Sequence, residues 1–398
     1  MRITVVQETD WLKRGPHQQH HLFERLAARG HDVTVLDFEI LYEPFPRAPL
    51  IAHRQIHSNV KRTLAPSNGV TVIRPFTIRL PLIARPISLL TFYAELVRRI
   101  SNPPVFNPPD VIVNYALSTG LPALIAARQR KIPFLFHVID SLYTLVPSLI
   151  LRPVAKFFEH NLLRASDRTL YINEELRQYG INMGAKESSA QTIRSGVDLQ
   201  RFGSGVESAS LRSQLGFKSD DVILLFIGWL YDHVGVDTVM RTLPQLPANV
   251  KLLVVGAGEG EPQLKALHRE LNLGERVVFA GSQPYDTMPQ FMAMSDVCLL
   301  YFDLKPITRH IVPIKIYEYM ASGKPVLASP LPAVMRDVPP NHGVLYISQT
   351  ELLNELNRLL DPDYRKTLGV TSRKFVEENC DWEKLTDEFE SLLLEMKR

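Results

Sequence analysis

The sequence predicts an α/β protein of two doubly wound domains, each a parallel sheet with helices on both faces. Short apolar runs rich in β-branched residues alternate with helical stretches through both halves of the chain. These runs lack apolar/polar alternation, as expected of parallel strands that are buried on both faces. The length of 398 residues also exceeds what one hydrophobic core usually supports.

Two sets of predicted strands define the domains. Those of the first half lie at 3–6, 33–38, 111–114, 134–139 and 168–172, and those of the second at 222–227, 252–255, 277–280, 297–301, 326–328 and 344–347. Polar residues and glycines cluster between the sets, which predicts Rossmann-like domains at 1–200 and 201–380. Residues 381–398 carry apolar residues at helical spacing. This final helix either completes the second domain or packs back on the first.

The composition excludes several classes of protein. The 45% apolar and 22% charged content is that of an ordinary globular protein. The two cysteines, Cys298 and Cys380, have neither a disulfide pattern nor a metal-ligand spacing, which indicates a reducing compartment. We find no signal peptide and no run of about 18 apolar residues, so a cytoplasmic protein is expected.

Basic residues concentrate in the first half of the chain. Residues 1–200 carry 24 Lys/Arg and 16 Asp/Glu, whereas the remainder carries 21 and 26. Residues 51–100 have eight basic residues and one acid, and Arg74, Arg79 and Arg85 stand among apolar residues there. This pattern favours peripheral contact with anionic headgroups at the inner face of a membrane. The alternative is a solvated basic loop, and no nucleic-acid partner is expected.

The segment that follows the predicted strand at 297–301 carries the chemistry. Pro313 and Gly323 mark the start and the stop of a short helix. Its predicted N-cap, Val312, has no side-chain oxygen, so the amides of Ile314 and Lys315 lack a local acceptor. Free amides at a helix start favour an anion such as a diphosphate.

Charged side chains strengthen that prediction. Arg309, His310 and Lys315 place positive charge around the same helix start. Glu318 lies three residues after Lys315, on the same face, where a carboxylate can accept hydrogen bonds from the two hydroxyls of a ribose. The alternative is an ordinary Glu–Lys helix pair, worth ~0.3–0.5 kcal/mol.

This segment resembles the donor-binding signature of GT-B glycosyltransferases, especially the retaining family 4. It reads Pro-x-Lys-x-x-Glu-Tyr-Met-Ala-x-Gly-Lys-Pro-Val over 313–326. The resemblance implies a hexosyltransferase-type enzyme in which two Rossmann-like domains face a cleft and Glu318 binds the ribose of a nucleotide-sugar donor. It implies a saccharide, lipid-linked or small-molecule acceptor, with no metal and no cofactor besides the donor.

Further similarity to the family extends over nearly the whole chain. Gly15 lies in a stretch that resembles the first glycine loop, where the backbone approaches the donor, and Gly228 ends the strand that opens the second domain. His137 resembles the strand-end histidine that contacts the transferred sugar, the alternative being a histidine hydrogen-bonded in the domain wall. Asp140 either holds the tautomer of His137 or caps the next segment. The final helix is similar to one that packs on the first domain.

The sequence departs from the family pattern at four positions. Trp229 and Val234 stand where the family usually has an Arg and a Lys on the diphosphate, His310 replaces the first Glu of the motif, and Pro313 replaces a Gly. In one explanation Lys315, Arg309 and the helix amides take over the diphosphate in an active transferase. In another the chain is a non-catalytic member that binds a sugar nucleotide or a partner subunit. A third is a GT-B-type epimerase.

Two other patterns have simpler interpretations. His17, His20 and His21 fall near one face of a predicted helix, but no carboxylate clusters with them, so no metal site is predicted. Residues 256–260 read Gly-x-Gly-x-Gly rather than Gly-x-Gly-x-x-Gly. We interpret them as a tight turn that lines the nucleotide pocket and predict no NAD binding.

Overall fold

The structure is a computed structural model, and it describes residues 1–13, 16–39, 50–63, 68–80, 84–101, 108–146, 148–203, 205–231, 234–305, 308 and 312–397. The chain folds into two compact units. Unit 1 comprises Met1–Arg194 and Trp382–Arg398, and unit 2 comprises Ser195–Asp381. Unit 1 is therefore assembled from two separate stretches of the chain.

Unit 1 is built around a mostly parallel sheet. Its strands are β1 (Arg2–Val6), β2 (Asp32–Leu36), β3 (Ile51–Ala52), β4 (Gln55–Val60), β5 (Val70–Arg74), β6 (Thr77–Ile78), β7 (Val111–Asn114), β8 (Phe134–Val138), β9 (Arg168–Tyr171) and β10 (Ala190–Thr192). Its helices are α1 (Gln18–Ala28), α2 (Ala84–Ser101), α3 (Gly120–Arg130), α4 (Arg152–Ala165), α5 (Glu174–Asn182) and α14 (Trp382–Met396). The sheet order is β10-β9-β8-β7-β1-β2-β5-β4, with β4 antiparallel to β5. Strands β3 and β6 form a separate antiparallel pair.

Helix α14 packs against α1 and covers one face of the sheet. Its spacing predicts a buried apolar stripe, and Trp382, Leu385 and Phe389 are buried. The Phe389 ring meets Phe23 edge to face at 5.5 Å, and Trp382 stacks on His21 at 4.7 Å. The last helix of the chain thus supplies part of the hydrophobic core of unit 1.

Two arginines of the basic segment are bound inside unit 1. Arg74 at the end of β5 is buried, donates from Nε to Asp37 at 2.9 Å, and also pairs with Asp10. Arg79 pairs with Glu39. Because internal carboxylates already neutralise these guanidinium groups, they are not the free cations that contact with anionic headgroups would require. The side chain of Arg85 lies outside the described residues.

Unit 2 contains a fully parallel sheet in its described part. The strands are β11 (Val222–Ile227), β12 (Val250–Val255), β13 (Val277–Gly281), β14 (Val297–Leu300), β15 (Val326–Ala328) and β16 (Val344–Tyr346). The helices are α6 (Ala209–Gln214), α7 (Val236–Thr242), α8 (Glu261–Glu270), α9 (Met288–Met294), α10 (Lys315–Ala321), α11 (Pro332–Asp337), α12 (Leu352–Arg358) and α13 (Pro362–Asn379). The sheet order is β13-β12-β11-β14-β15-β16.

The strand order of unit 2 places a topological switch point between β11 and β14. From β11 the chain moves to β12 and β13 on one side, and it returns through β14 to β15 and β16 on the other. Ligands of such sheets bind beyond the carboxyl ends of the strands at this point. Two apolar cores, one on each face, hold the sheet rigid beneath it. The predicted fold class is confirmed, and no helix in the described ranges is long and apolar enough to cross a membrane.

Candidate functional site

The candidate site is built on Gly228, which directly follows β11 at the switch point. Gly228 has a φ of +144°, a conformation that strains any residue with a Cβ. A Cβ here would also lie 2.7 Å from the Nζ atom of Lys315. The turn therefore favours glycine, and the absence of a Cβ leaves room for the lysine ammonium beside it.

The Gly-x-Gly-x-Gly turn lies against the loop that follows β11. Gly256 has a φ of +143°, and a Cβ on it would lie 1.9 Å from the carbonyl oxygen of Gly228. The amide of Leu230 donates to Ala257 O at 2.9 Å, and the amide of Gly260 donates to Leu230 O at 2.8 Å. The glycines thus allow two backbone loops to run side by side at the sheet edge.

Lys315 is the first residue of α10, and its ammonium group lies at the end of β11. Nζ donates a hydrogen bond to Ile227 O at 2.8 Å and lies 4.4 Å from the centroid of the Phe226 ring and 5.1 Å from that of Phe302. Burial lowers the pKa of Lys315 to about 7, against an opposing effect of Glu318. The site therefore holds a poorly solvated cation beside the Gly228 turn, and an incoming anion would stabilise its charged form.

The start of α10 differs slightly from the prediction. The N-cap is Ile314 rather than Val312, since α10 begins at Lys315 and Tyr317 N donates to Ile314 O at 3.0 Å. As predicted, the N-cap residue has no side-chain oxygen that could accept a hydrogen bond from the first amides of the helix. One turn on, the Tyr319 hydroxyl accepts a hydrogen bond from Ile227 N at 2.9 Å. Lys315 and Tyr319 together fix both peptide groups of Ile227, which aligns α10 with β11.

Glu318 is buried one turn deeper in α10. Its Oε1 accepts a hydrogen bond of 2.7 Å from the hydroxyl of Tyr285, and Oε2 has no protein donor among the described residues. Burial raises the pKa of Glu318 to about 7, while Tyr285, Lys315 and Arg201 act in the opposite direction. One carboxylate oxygen is thus positioned by the protein, and the other accepts no hydrogen bond from a described residue.

The two family positions that normally carry cations contribute none here. Trp229 is exposed, and its Nε1 donates to Glu259 Oε2 at 2.5 Å. Val234 is buried in the core and forms a bridge with Phe302. Among the residues that the structure describes around Gly228, Lys315 is the cation in contact with the turn. Arg309, His310 and Gly15, which the sequence also predicts at the donor, lie outside the described residues.

His137 is a buried residue of β8 that is hydrogen-bonded within unit 1. Strand β8 ends at Val138, within the predicted run at 134–139, and the side chain of His137 is fully buried. Nδ1 is hydrogen-bonded to the Tyr115 hydroxyl at 2.7 Å, and the ring lies 6.1 Å from that of Phe389 in α14. Asp140 does not orient it; its carboxylate accepts from Ser141 N at 2.7 Å. These contacts fit the alternative of a histidine hydrogen-bonded within its domain, and contact of His137 with the transferred sugar stays a prediction.

Burial of His137 predicts a measurable pH dependence of stability. Burial lowers its pKa from 6.5 to about 3, so at mildly acidic pH the unfolded chain binds a proton that the folded chain excludes. Stability is therefore retained above pH 6.5 and falls as the pH decreases below it, by about 2 kcal/mol at about pH 5. His137→Asn keeps a partner for Tyr115 but cannot titrate, so its stability should fall less on acidification. Thermal unfolding at the two pH values measures this, and equal losses in both proteins would contradict it.

The histidines of α1 are also used within unit 1. His20 Nε2 bonds to Trp11 O at 3.1 Å, and its Nδ1 accepts from His17 N. His21 stacks on Trp382. Among the described residues no group of three His, Cys, Asp or Glu side chains is arranged to hold a metal ion.

Sequence reasoning missed the residues that position the site. Tyr285 and Tyr319 hold Glu318 and Ile227, and Phe226 lies under the lysine. The motif over 313–326 includes Tyr319 but does not show what its hydroxyl contacts. Tyr285 is 33 residues from Glu318, and no local signal in the sequence connects the two.

Both halves of the chain match known families of glycosyltransferase domains. Residues 207–375 match the family model described as glycosyl transferases group 1, and residues 15–196 match a glycosyl transferase 4-like domain. The D-inositol 3-phosphate glycosyltransferase of Acidothermus cellulolyticus is 26% identical over 369 residues, which cover 86% of this chain and 77% of that protein. A lipopolysaccharide 1,2-N-acetylglucosaminetransferase of Salmonella typhimurium is 27% identical, over 46% of this chain and 50% of its own length.

Solved structures show the same fold. Sucrose-phosphate synthase of Thermosynechococcus elongatus superposes with a TM-score of 0.73 at 20% identity, covering 99% of this chain and 98% of that one. Anabaena Alr3699/HepE, solved in complex with UDP-glucose, has a TM-score of 0.71 at 18% identity and covers 99% and 100%. The two family matches together take in most of the chain. The protein is therefore a glycosyltransferase of group 1 with the GT-B fold of two Rossmann-like domains.

Proposed function

We propose that the enzyme transfers a sugar from a nucleotide-diphosphate sugar to a saccharide or lipid-linked acceptor, without a metal ion and with retention of configuration. The observation that carries the proposal is the pairing of Lys315 and Glu318 on one short helix. The ammonium lies beside the Gly228 turn, and the carboxylate lies one turn deeper with Oε2 lacking a protein donor. This order suits a diphosphate followed by its ribose.

The donor is bound through these two charges in the proposal. Lys315 and the amides of Ile314 and Lys315 contact the diphosphate, and Glu318 Oε2 accepts a hydrogen bond from a ribose hydroxyl. UDP-sugars are the first donors to test, because the similar HepE structure contains UDP-glucose. Arg309 and His310 precede the same helix in sequence and remain predicted donor contacts, as does Gly15.

The reaction breaks the bond between the anomeric carbon and the diphosphate oxygen. The acceptor hydroxyl oxygen forms the new bond to that carbon, and its proton leaves with the nucleoside diphosphate or with solvent. Negative charge grows on the departing phosphate in the transition state, where the partly desolvated Lys315 ammonium stabilises it. The family resemblance supports retention of configuration. No step is assigned to His137, because its ring is fully buried.

Glu318→Ala is expected to lower kcat/KM for the preferred donor at least tenfold, about 1.4 kcal/mol, because the ribose loses its acceptor. A panel of UDP-, GDP- and ADP-sugars, with donor hydrolysis and thermal shift as readouts, identifies that donor. Glu355→Ala is the matched control, since Glu355 is also buried in unit 2 and accepts from a tyrosine hydroxyl, that of Tyr364 at 3.0 Å. It should leave kcat/KM unchanged.

Three results would contradict the proposal. Equal losses in the two variants would mean that Glu318 acts only on stability. A nucleotide that raises the melting temperature without any hydrolysis or transfer would favour the non-catalytic alternative. Conversion of a donor to its epimer in the absence of acceptor would instead favour an epimerase.

A further inference from the structure

Unit 1 exposes a concentrated set of large apolar side chains on α4 and the segment before it. They form what we call the apolar surface, which consists of Leu145, Leu149, Ile150, Leu151, Val154 and Phe157. Ile150 is 87% exposed, Leu149 72% and Phe157 63%. The described part of the chain has seventeen exposed large apolar side chains, and six of them belong to this surface. Exposed apolar area of this kind marks an interaction site.

Helix α4 is firmly anchored by its opposite face. Leu162 and Leu163 are fully buried in the core of unit 1. Glu159 is buried and accepts hydrogen bonds from Tyr143 N at 2.8 Å and from the Tyr179 hydroxyl at 2.9 Å. The helix is therefore held in place, and its first two turns present Leu151, Val154 and Phe157 outward as a fixed structural feature.

The exposed charges within the stretch 142–165 have one sign. Within 142–165, Lys156 and Arg164 are exposed and Arg152 is partly exposed, whereas the sole acid of that stretch, Glu159, is buried. Arg152 Nε donates to Val146 O at 3.0 Å, and Lys156 lies 5.7 Å from the centroid of the Tyr143 ring. Aliphatic side chains flanked by Lys and Arg match a layer of acyl chains beneath negative headgroups.

We infer that the apolar surface docks unit 1 onto a bilayer that contains anionic phospholipids. Leu149 and Ile150, the most exposed members, enter the acyl boundary, and Arg152 and Lys156 extend to the phosphate groups. Charge complementarity favours a layer of anionic lipids over a protein partner, because no described residue of the stretch 142–165 exposes an acidic side chain. The surface differs from the basic segment at 51–100, whose Arg74 and Arg79 are paired internally.

Vesicle flotation with the full-length protein tests the inference. The protein should float with vesicles of phosphatidylcholine and phosphatidylglycerol and bind phosphatidylcholine alone more weakly. The double variant Ile150→Asp/Phe157→Asp should lower the partition coefficient at least ~tenfold, because it places charge in the acyl boundary. Lys156→Glu should lower binding to the anionic vesicles more than ~fivefold and binding to the neutral ones little.

Leu90→Asp is the matched control, because Leu90 is 72% exposed on α2 of the same unit and lies outside the apolar surface. It should float like the unsubstituted protein, and all variants should keep its melting temperature because the substituted side chains are exposed. Absence of flotation with anionic vesicles, or equal loss in the control, would overturn the inference. So would a dimer in sedimentation that the double variant dissociates while vesicle binding is unchanged, since the surface would then cover another copy.

Discussion

Lys315→Met is expected to lower kcat/KM for the nucleotide-sugar donor about a hundredfold, ~2.7 kcal/mol. Methionine keeps a long unbranched side chain beside Phe226 and Phe302 but removes the charge that lies near those rings and Gly228. Because that charge is poorly solvated in the free enzyme, a bound diphosphate interacts with it strongly. Steady-state kinetics with the preferred donor measures the loss.

Lys324→Met is the control for this prediction. Lys324 lies nine residues further on, its Nζ donates to Ala293 O at 2.9 Å, and burial lowers its pKa as it does that of Lys315. It does not adjoin Gly228, so kcat/KM should stay unchanged. Equal losses in the two variants would show that removing any buried lysine of unit 2 disturbs the enzyme.

The pH dependence of donor affinity provides a second readout for Lys315. The free enzyme has a Lys315 pKa of about 7, and the negative charge of the donor raises it. Binding above pH 7 therefore takes up a proton, and affinity should fall as the pH rises from that value. Lys315→Met should lack this alkaline decrease.

Gly256→Ala is expected to destabilise unit 2 by about 3 kcal/mol. The new methyl group would lie 1.9 Å from Gly228 O and 2.9 Å from its carbonyl carbon, at a φ of +143°. The two loops at the sheet edge would have to separate, and donor activity should fall with the displaced Gly228. Urea unfolding and hydrogen exchange of the β11 and β12 amides measure the change.

Two other glycines of unit 2 show how much of the destabilisation comes from backbone strain and how much from the contact between the loops. Gly216 has a φ of +78° and open space around it, so Gly216→Ala should cost about 1 kcal/mol from backbone strain alone. Gly205 has neither a positive φ nor a close neighbour, and Gly205→Ala should have almost no effect. If Gly256→Ala costs no more than Gly216→Ala, the loops are not in the contact described.

The fold was largely predictable because its strands are local and apolar. Strands β7, β11 and β15 begin and end where the sequence predicts, since each is a buried run between turn residues. Strands β4 and β5 were not predicted. The segment that contains them is basic, and the partners of Arg74 lie 64 and 37 residues away in sequence, at Asp10 and Asp37. Such long-range ion pairs leave no local pattern.

The site was predictable in part for a similar reason. A motif confined to one helix places Lys315 and Glu318 together, and the structure keeps them on α10. The burial of the His137 ring was not predictable from the sequence. Its partner, the Tyr115 hydroxyl, comes from the neighbouring chain segment 22 residues away in sequence, and no local pattern connects the two.

The division of unit 1 between both ends of the chain has a consequence for biosynthesis. Trp382 and Phe389 belong to its core, so unit 1 cannot finish folding until the ribosome has made all of unit 2. Until then α1 exposes the apolar face that α14 later covers, a state open to chaperones and proteases. The two chain passages lie side by side, with Val197 N bonded to Cys380 O at 2.8 Å. Completion of unit 1 thus depends on synthesis of all of unit 2, whose two ends this hydrogen bond brings together.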